Sequence, residues 1–175
     1  MQHIFAAKTN HMKTKILVLL LLLLGATKMM HAQDYKTAVG VRGGFYNGLS
    51  GKHYLNNKFA VEGLLTTRWY GFMATGFLQL TKPTKIERLR SYAGLGAHVS
   101  SWNSAYYYSY NSPYFNNGRF LTFGADAILG IEYTTEFLPL NFALDVHPLT
   151  DFTEYGMNFY FDIGLSIRWV MRGVE

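Results

Sequence analysis

Asn158-Phe159-Tyr160-Phe161-Asp162-Ile163-Gly164-Leu165-Ser166-Ile167-Arg168-Trp169-Val170-Met171 is the stretch that decides the fold. Phe159, Phe161, Ile163, Leu165, Ile167, Trp169 and Met171 form one set, and Asn158, Tyr160, Asp162, Gly164, Ser166 and Arg168 the other. Side chains that alternate in this way lie on opposite faces of a strand, because a β-strand repeats every two residues. The same period runs upstream. In 120–133, Leu121, Phe123, Ala125, Ala127, Leu129, Ile131 and Tyr133 alternate with Thr122, Gly124, Asp126, Ile128, Gly130 and Glu132. In 138–147 the apolar set faces Asn141, Ala143, Asp145 and His147, and in 89–100 it faces Arg90, Tyr92, Gly94, Gly96, His98 and Ser100. In 59–69 the second set includes Glu62 and Arg68. Weaker segments at 36–46 (Val39, Val41, Phe45 against Arg42), 49–55 and 70–81 bring the total to eight strands, which suits an antiparallel meander.

The links come in two sizes. Those near 56–58, 82–88 and 134–137 are short, as are 47–48 and the one around Trp69. The link at 101–119 is long and the one at 148–155 moderate, and both fall at the same end of the meander. Outer-membrane barrels have this asymmetry, with short turns on the periplasmic side and longer loops outside.

Alternation alone does not say which face is inside. Three features turn the apolar face outward. Within the strands, the cations read on the polar face are Arg42, Arg68, Arg90 and Arg168, while Lys58, Lys82 and Lys85 sit at turns. Arginine suits enclosed ion pairs, because its planar fork meets a carboxylate in two places. The polar face also holds Gly94, Gly96, Gly124, Gly130 and Gly164, and small residues fit the narrow bore of an eight-stranded barrel. Finally, the apolar face is nearly free of charge, with Phe45, Phe59, Trp69, Tyr133, Phe159 and Trp169 near its ends as an interfacial girdle requires. The sequence thus implies an all-β, eight-stranded antiparallel up-and-down transmembrane barrel. Its lumen would hold Arg42, Arg68, Arg90 and Arg168 with Glu62, Asp126, Glu132, Asp145 and Asp162. Enclosed charges must pair. Arg90 with Glu132 and Arg42 with Asp162 are the expected pairs, in a network that fills the bore.

Composition agrees with a single exported domain. The chain has 175 residues and a net charge of +5, yet residues 1–32 contain Lys8, Lys13, Lys15 and Lys28 and no acid. Taking those four from the 16 basic residues leaves 12 against 11 acids, a charge of +1. The basicity belongs to the N-terminus, which removes the basis for nucleic-acid binding. Zero Cys excludes a disulfide scaffold, a thiolate metal site and a Cys nucleophile. Lys13 and Lys15 precede the apolar run Ile16–Leu24, followed by Gly25-Ala26-Thr27 and Met30-His31-Ala32-Gln33. This is the layout of a secretory signal, too short to span a bilayer as a helix. Residues 1–33 are read as a signal peptide cut after Ala32 or Gln33, with Met1 or Met12 as the start, and 34–175 as the barrel domain.

These features together resemble the small eight-stranded outer-membrane barrels of OmpA/OmpX type that lack a periplasmic domain. The resemblance covers nearly all of 34–175. It implies location in the outer membrane of a Gram-negative bacterium, outer-membrane lipid as surroundings and the barrel-assembly machinery as a partner during insertion. Members often end on an aromatic residue. Here Trp169 is followed by Val170-Met171-Arg172-Gly173-Val174-Glu175, so Trp169 would take that role.

Three constellations bear on chemistry. His98-Val99-Ser100 places imidazole and hydroxyl on one strand face. It resembles the His-x-Ser of the outer-membrane lipid A 3-O-deacylases, whose pair faces lipid, whereas here it falls on the lumen face. His98 and Ser100 are therefore weak catalytic candidates, and polar lumen lining is the preferred reading. Asp145-Val146-His147 shares a face near the same mouth, and with His98 and Asp151 it offers loose metal-ligand spacing. Three or more ligands at set spacing are needed, so no metal and no cofactor is expected. The segment 106–118 carries Tyr106, Tyr107, Tyr108, Tyr110 and Tyr114 among Ser, Asn and Gly. Such residues build adaptable binding surfaces, and Tyr also sits at a headgroup boundary. The expected function is a non-enzymatic outer-membrane barrel whose Tyr-rich outer loop contacts an extracellular ligand or cell-surface partner. The alternatives are a lipid-modifying enzyme of the deacylase kind and a secreted soluble barrel for a small apolar ligand.

Overall fold

The computed structural model describes residues 36–68, 70–103, 118–153 and 156–171. Eight strands run in chain order: β1 (Thr37–Gly44), β2 (Asn47–Tyr54), β3 (Phe59–Arg68), β4 (Gly71–Pro83), β5 (Leu89–Asn103), β6 (Arg119–Thr134), β7 (Leu140–Thr153) and β8 (Gly156–Met171). Each pairs antiparallel with the next, and β8 closes on β1. The register runs Thr37↔His53, His53↔Val61, Val61↔Leu78, Leu78↔Leu95 and Leu95↔Ala127. Continued through β7 and β8, it returns to β1 ten residues further on. A shear of ten over eight strands tilts them by about 40° from the barrel axis, and each row of paired residues climbs by about 3 Å per strand. A closed ladder leaves no open edge, which is what lets β-structure satisfy its backbone in lipid.

Burial follows the alternation strand by strand, with the apolar set outside. In β8, Phe159, Phe161, Ile163, Leu165 and Ile167 are exposed, while Asp162, Ser166 and Arg168 are each 0% exposed. Leu95 is 74% exposed, while Tyr92 and His98, of the opposite parity on the same strand, are buried. A soluble barrel would have it the other way round. The interior does hold two apolar clusters. Leu64, Phe77, Tyr92, Ile128 and Ala143 pack at mid-height. Tyr46, Met73, Trp102 and Leu149, with Phe120 and Tyr160 against them, close the end that carries the long link.

The links differ from expectation in their bounds. The tight link expected at 47–48 falls at 45–46, because β2 begins at Asn47. The moderate link expected at 148–155 shrinks to 154–155, because β7 continues to Thr153. Pro148, which has no N–H to donate, lies inside this strand. In the structure it costs only local pairing: the β6–β7 ladder is recorded for Asp126↔Leu149 and resumes at Leu129↔Val146 in the same register, while Pro148 stays opposite Phe161 of β8. The long link narrows to 104–118, and it stands alone at its end among two-residue links. At the other end, Asn56 Oδ1 accepts from the backbone N–H groups of Lys58 and Phe59, both at 2.9 Å, and fixes the β2–β3 turn. Residues 1–33, Trp69 and Tyr106–Tyr114 lie outside the described residues, as does the tail after Met171.

Candidate functional site: the filled lumen

The lumen is built from the inward half of every strand, and it is stacked in layers along the axis. Near the short-turn end, Arg168 of β8 reaches across to β3. Its Nη2 bonds Glu62, its Nε donates to Ser50 Oγ at 2.6 Å, and its Nη1 donates to Asn141 Oδ1 at 3.1 Å. Glu62 also accepts from Ser50 at 2.7 Å and from Gln79 Nε2 at 2.6 Å. Beside it, Lys52 Nζ lies 3.0 Å from Glu132 Oε2, the Tyr54 hydroxyl bonds the same carboxylate, and Arg168 Nη1 stands 3.7 Å away. Lys52 also sits 4.0 Å over the Tyr92 ring. Two cations and two carboxylates therefore balance within one enclosed layer, which is the condition for burying charge at tolerable cost.

Above it, Arg42 of β1 spans two acids. Its guanidinium is 2.7 Å from Asp145 of β7 and 3.0 Å from Asp162 of β8, with every side chain at 0% exposure. Tyr92 Oη donates to Asp145 at 3.0 Å, and the Phe45 backbone N–H donates to Asp162 at 2.9 Å. The third layer is a histidine–aspartate cluster. His98 Nδ1 is 2.8 Å from Asp126 and its Nε2 2.7 Å from Asp151. His147 Nε2 meets Asp126 at 2.6 Å. At the long-link end the Arg68 guanidinium lies 4.8 Å over Tyr46 and 5.6 Å over Phe45. Burial pushes the Tyr46 phenol above its ordinary range.

Glycines make the room. A Cβ on Gly164 would strike the Arg42 guanidinium, one on Gly124 the His98 ring, and one on Gly130 both Tyr92 and Asp145. The glycines of the polar face are thus counterparts of particular charged and aromatic side chains.

Placed against the sequence reading, Arg42, Glu62, Arg90, Asp126, Glu132, Asp145, Asp162 and Arg168 are all buried inside the barrel. Arg68 is half-buried at the mouth. Arg42 and Asp162 meet as a pair. Arg90 and Glu132 are directly opposite in register; Arg90 Nη2 donates to the Asn57 carbonyl at 2.8 Å, and Glu132 is held by Lys52 and Tyr54. Lys52 and Ser50 are the members that sequence reasoning missed, while Tyr92, Asn141 and Gln79 are on the polar face as expected and join the network as neutral partners. Strict parity through β2 would have found both, since Ser50, Lys52 and Tyr54 all point inward.

His98 and Ser100 share a face but not a bond. Both ring nitrogens of His98 are taken by carboxylates, and Ser100 Oγ is 2.5 Å from Thr122 Oγ1. Ser100 is 1% exposed and points away from the apolar belt. A serine nucleophile needs its base within hydrogen-bond reach and its substrate at hand; this arrangement offers neither. His98, His147 and Asp151 do gather around Asp126, as hydrogen-bond partners. Among the described residues no group of three or more such side chains is placed to hold a metal ion.

The chain aligns in three dimensions with the N-terminal β-barrel domain of Pseudomonas aeruginosa OprF. The TM-score is 0.60 at 16% identity, over 79% of this chain and all of that one. The fold is that of a small outer-membrane β-barrel. No family model matches the sequence, and no curated protein does either. The likeness therefore lies in the fold.

Proposed function

We propose that the protein is a non-enzymatic outer-membrane barrel of a Gram-negative bacterium. In this reading the N-terminal segment exports it, the barrel-assembly machinery inserts it, and the link between β5 and β6 with its five tyrosines meets an extracellular ligand or cell-surface partner. One observation carries the reading: the exposed face is an apolar belt, while the bore is packed with paired charges and closed by Tyr46, Met73, Trp102 and Leu149. An outward apolar belt over a polar interior suits lipid. A bore filled by side chains argues against porin-like conduction, and its polarity argues against storage of an apolar ligand. The engaged ring of His98 argues against acyl transfer.

Membrane fractionation combined with a heat-dependent shift on a gel tests the barrel. The folded chain is expected in the outer-membrane fraction and to run faster unheated. A soluble chain without a shift would refute the reading. Deleting 105–117 tests the loop. Loss of surface binding with the gel shift retained is expected, and unchanged binding would remove the loop's role.

A further inference from the structure

Gly51, Gly63 and Gly76 lie side by side across β2, β3 and β4, all on the outer face, and Ala97 of β5 continues the row. Nothing among the described residues asks for these glycines. A Cβ on Gly63 or Gly76 would meet no atom within 4 Å, and one on Gly51 would meet only Val39 Cγ1 at 3.9 Å. Among the described glycines only Gly156 has a positive φ. Glycine in a strand interior weakens the strand and often marks the close approach of something from outside. Here the row floors a groove of about 460 Å³ on the lipid-side surface, walled by Val39, Val61 and Leu78.

The groove has a polar end. Thr37 Oγ1 and His53 Nδ1 lie 2.8 Å apart at the lower end of the row, on the same outward face. An ionisable side chain on a membrane-facing surface is costly and marks a functional site. The rim below it is basic, with Lys36, Lys58 and Lys82 all exposed. The slope also matters. Each row climbs by about 3 Å per strand, so from Gly51 to Ala97 the groove rises by about 9 Å over a path of about 14 Å. It starts at the short-turn rim, where headgroups would lie, and ascends into the apolar belt.

We propose that this groove docks one anionic glycerophospholipid of the periplasmic leaflet. The proposal rests on the outer-membrane reading above. The lipid phosphate lies against His53 and the lysines of the rim, where an imidazole N–H donates and the ammonium groups supply charge. One acyl chain lies over Gly51, Gly63 and Gly76, whose missing side chains leave it a bed. The open space at Gly63 and Gly76 makes the test clean, because leucines there fill the groove without touching the barrel's packing.

The full chain is reconstituted in nanodiscs of phosphatidylethanolamine doped with phosphatidylglycerol, extracted into mild detergent and examined by native mass spectrometry. The wild type is expected to retain one phosphatidylglycerol. Gly63→Leu with Gly76→Leu should lower retention by about tenfold while leaving the heat-dependent gel shift intact. His53→Ala should erase the preference for phosphatidylglycerol over phosphatidylethanolamine. A folded wild type that keeps no lipid, or a double leucine variant that keeps as much as wild type, overturns the proposal and leaves the barrel reading standing. So does a change from dimer to monomer in the leucine variant without a change in lipid, which would assign the groove to a second copy. A wild type with no gel shift removes the barrel reading and the proposal together.

Discussion

Removing Arg168 probes the lumen network at its most connected point. The guanidinium is fully buried and binds Glu62, Ser50 and Asn141 directly, with Glu132 at 3.7 Å. In Arg168→Ala, Glu62 keeps only the neutral donors Ser50 and Gln79 together with the more distant field of Lys52. Stripping one partner from a buried pair costs about 3–5 kcal/mol. Water entering the space left by the side chain offsets part of this, so about 3 kcal/mol is the expected loss. With a urea dependence of about 2 kcal/mol per molar, the unfolding midpoint in detergent should fall by about 1.5 M. Two controls separate charge from packing. Arg168→Met with Glu62→Gln removes both charges and should recover most of the loss, since a buried pair replaced as a unit is often near neutral. Leu95→Ala trims a side chain 74% exposed on the belt; lipid fills the space it leaves, so there is no cavity term and only the transfer of the side chain, about 2 kcal/mol or less, is lost. A midpoint for Arg168→Ala within about 0.3 M of wild type, at unchanged slope, would refute the network as a source of stability.

Other outcomes follow from the same geometry. Gly164→Leu should prevent recovery of the heat-modifiable barrel, because its Cβ strikes the Arg42 guanidinium, whereas Gly63→Leu should fold normally; equal refolding yields on gels would contradict the account of the lumen glycines. Leu95→Arg, placed near the middle of the belt, should destabilise by about 2–4 kcal/mol in the same urea titration, and a neutral result would argue that this face does not meet lipid. Ser100→Ala should leave the acyl composition of lipid A in the host unchanged, since Ser100 bonds Thr122 inside the barrel; a lost acyl-chain modification in the mass spectrum would restore the enzymatic reading.

The face of each strand was legible because it depends on one bit per residue. Once Leu121, Phe123 and Leu129 are known to point outward, Thr122, Asp126 and Ile128 must point inward. Lys52 escaped for a local reason. Its strand has Gly51 and His53 on the lipid side, so the apolar contrast that marks parity vanishes there, and these are the residues that form the groove. Other partners inside the lumen were hidden for a global reason. Closure of β8 on β1 was enough to pair Arg42 with Asp162, but Arg42 also bonds Asp145 one strand further round, and Arg168 reaches across the bore to Glu62 of β3. Such contacts depend on the shear, which is set by closure and is written in no single strand.

The same closure explains why the lumen glycines and the lumen charges come as a set. In a bore this narrow a large side chain on one strand needs space on the wall it reaches. Arg42 lies over Gly164, His98 over Gly124 and Tyr92 over Gly130, each pair contributed by different strands. The charges in turn must find opposite charges at their own height, since an unmatched ion in the enclosed layer would cost several kcal/mol. Lys52 and Arg168 face Glu62 and Glu132 in one layer, and Arg42 faces Asp145 and Asp162 in the next. Exchanging a glycine with its bulky partner would preserve composition and alternation yet change where every such pair sits. Two barrels can therefore share a fold and still have interiors that cannot be interchanged.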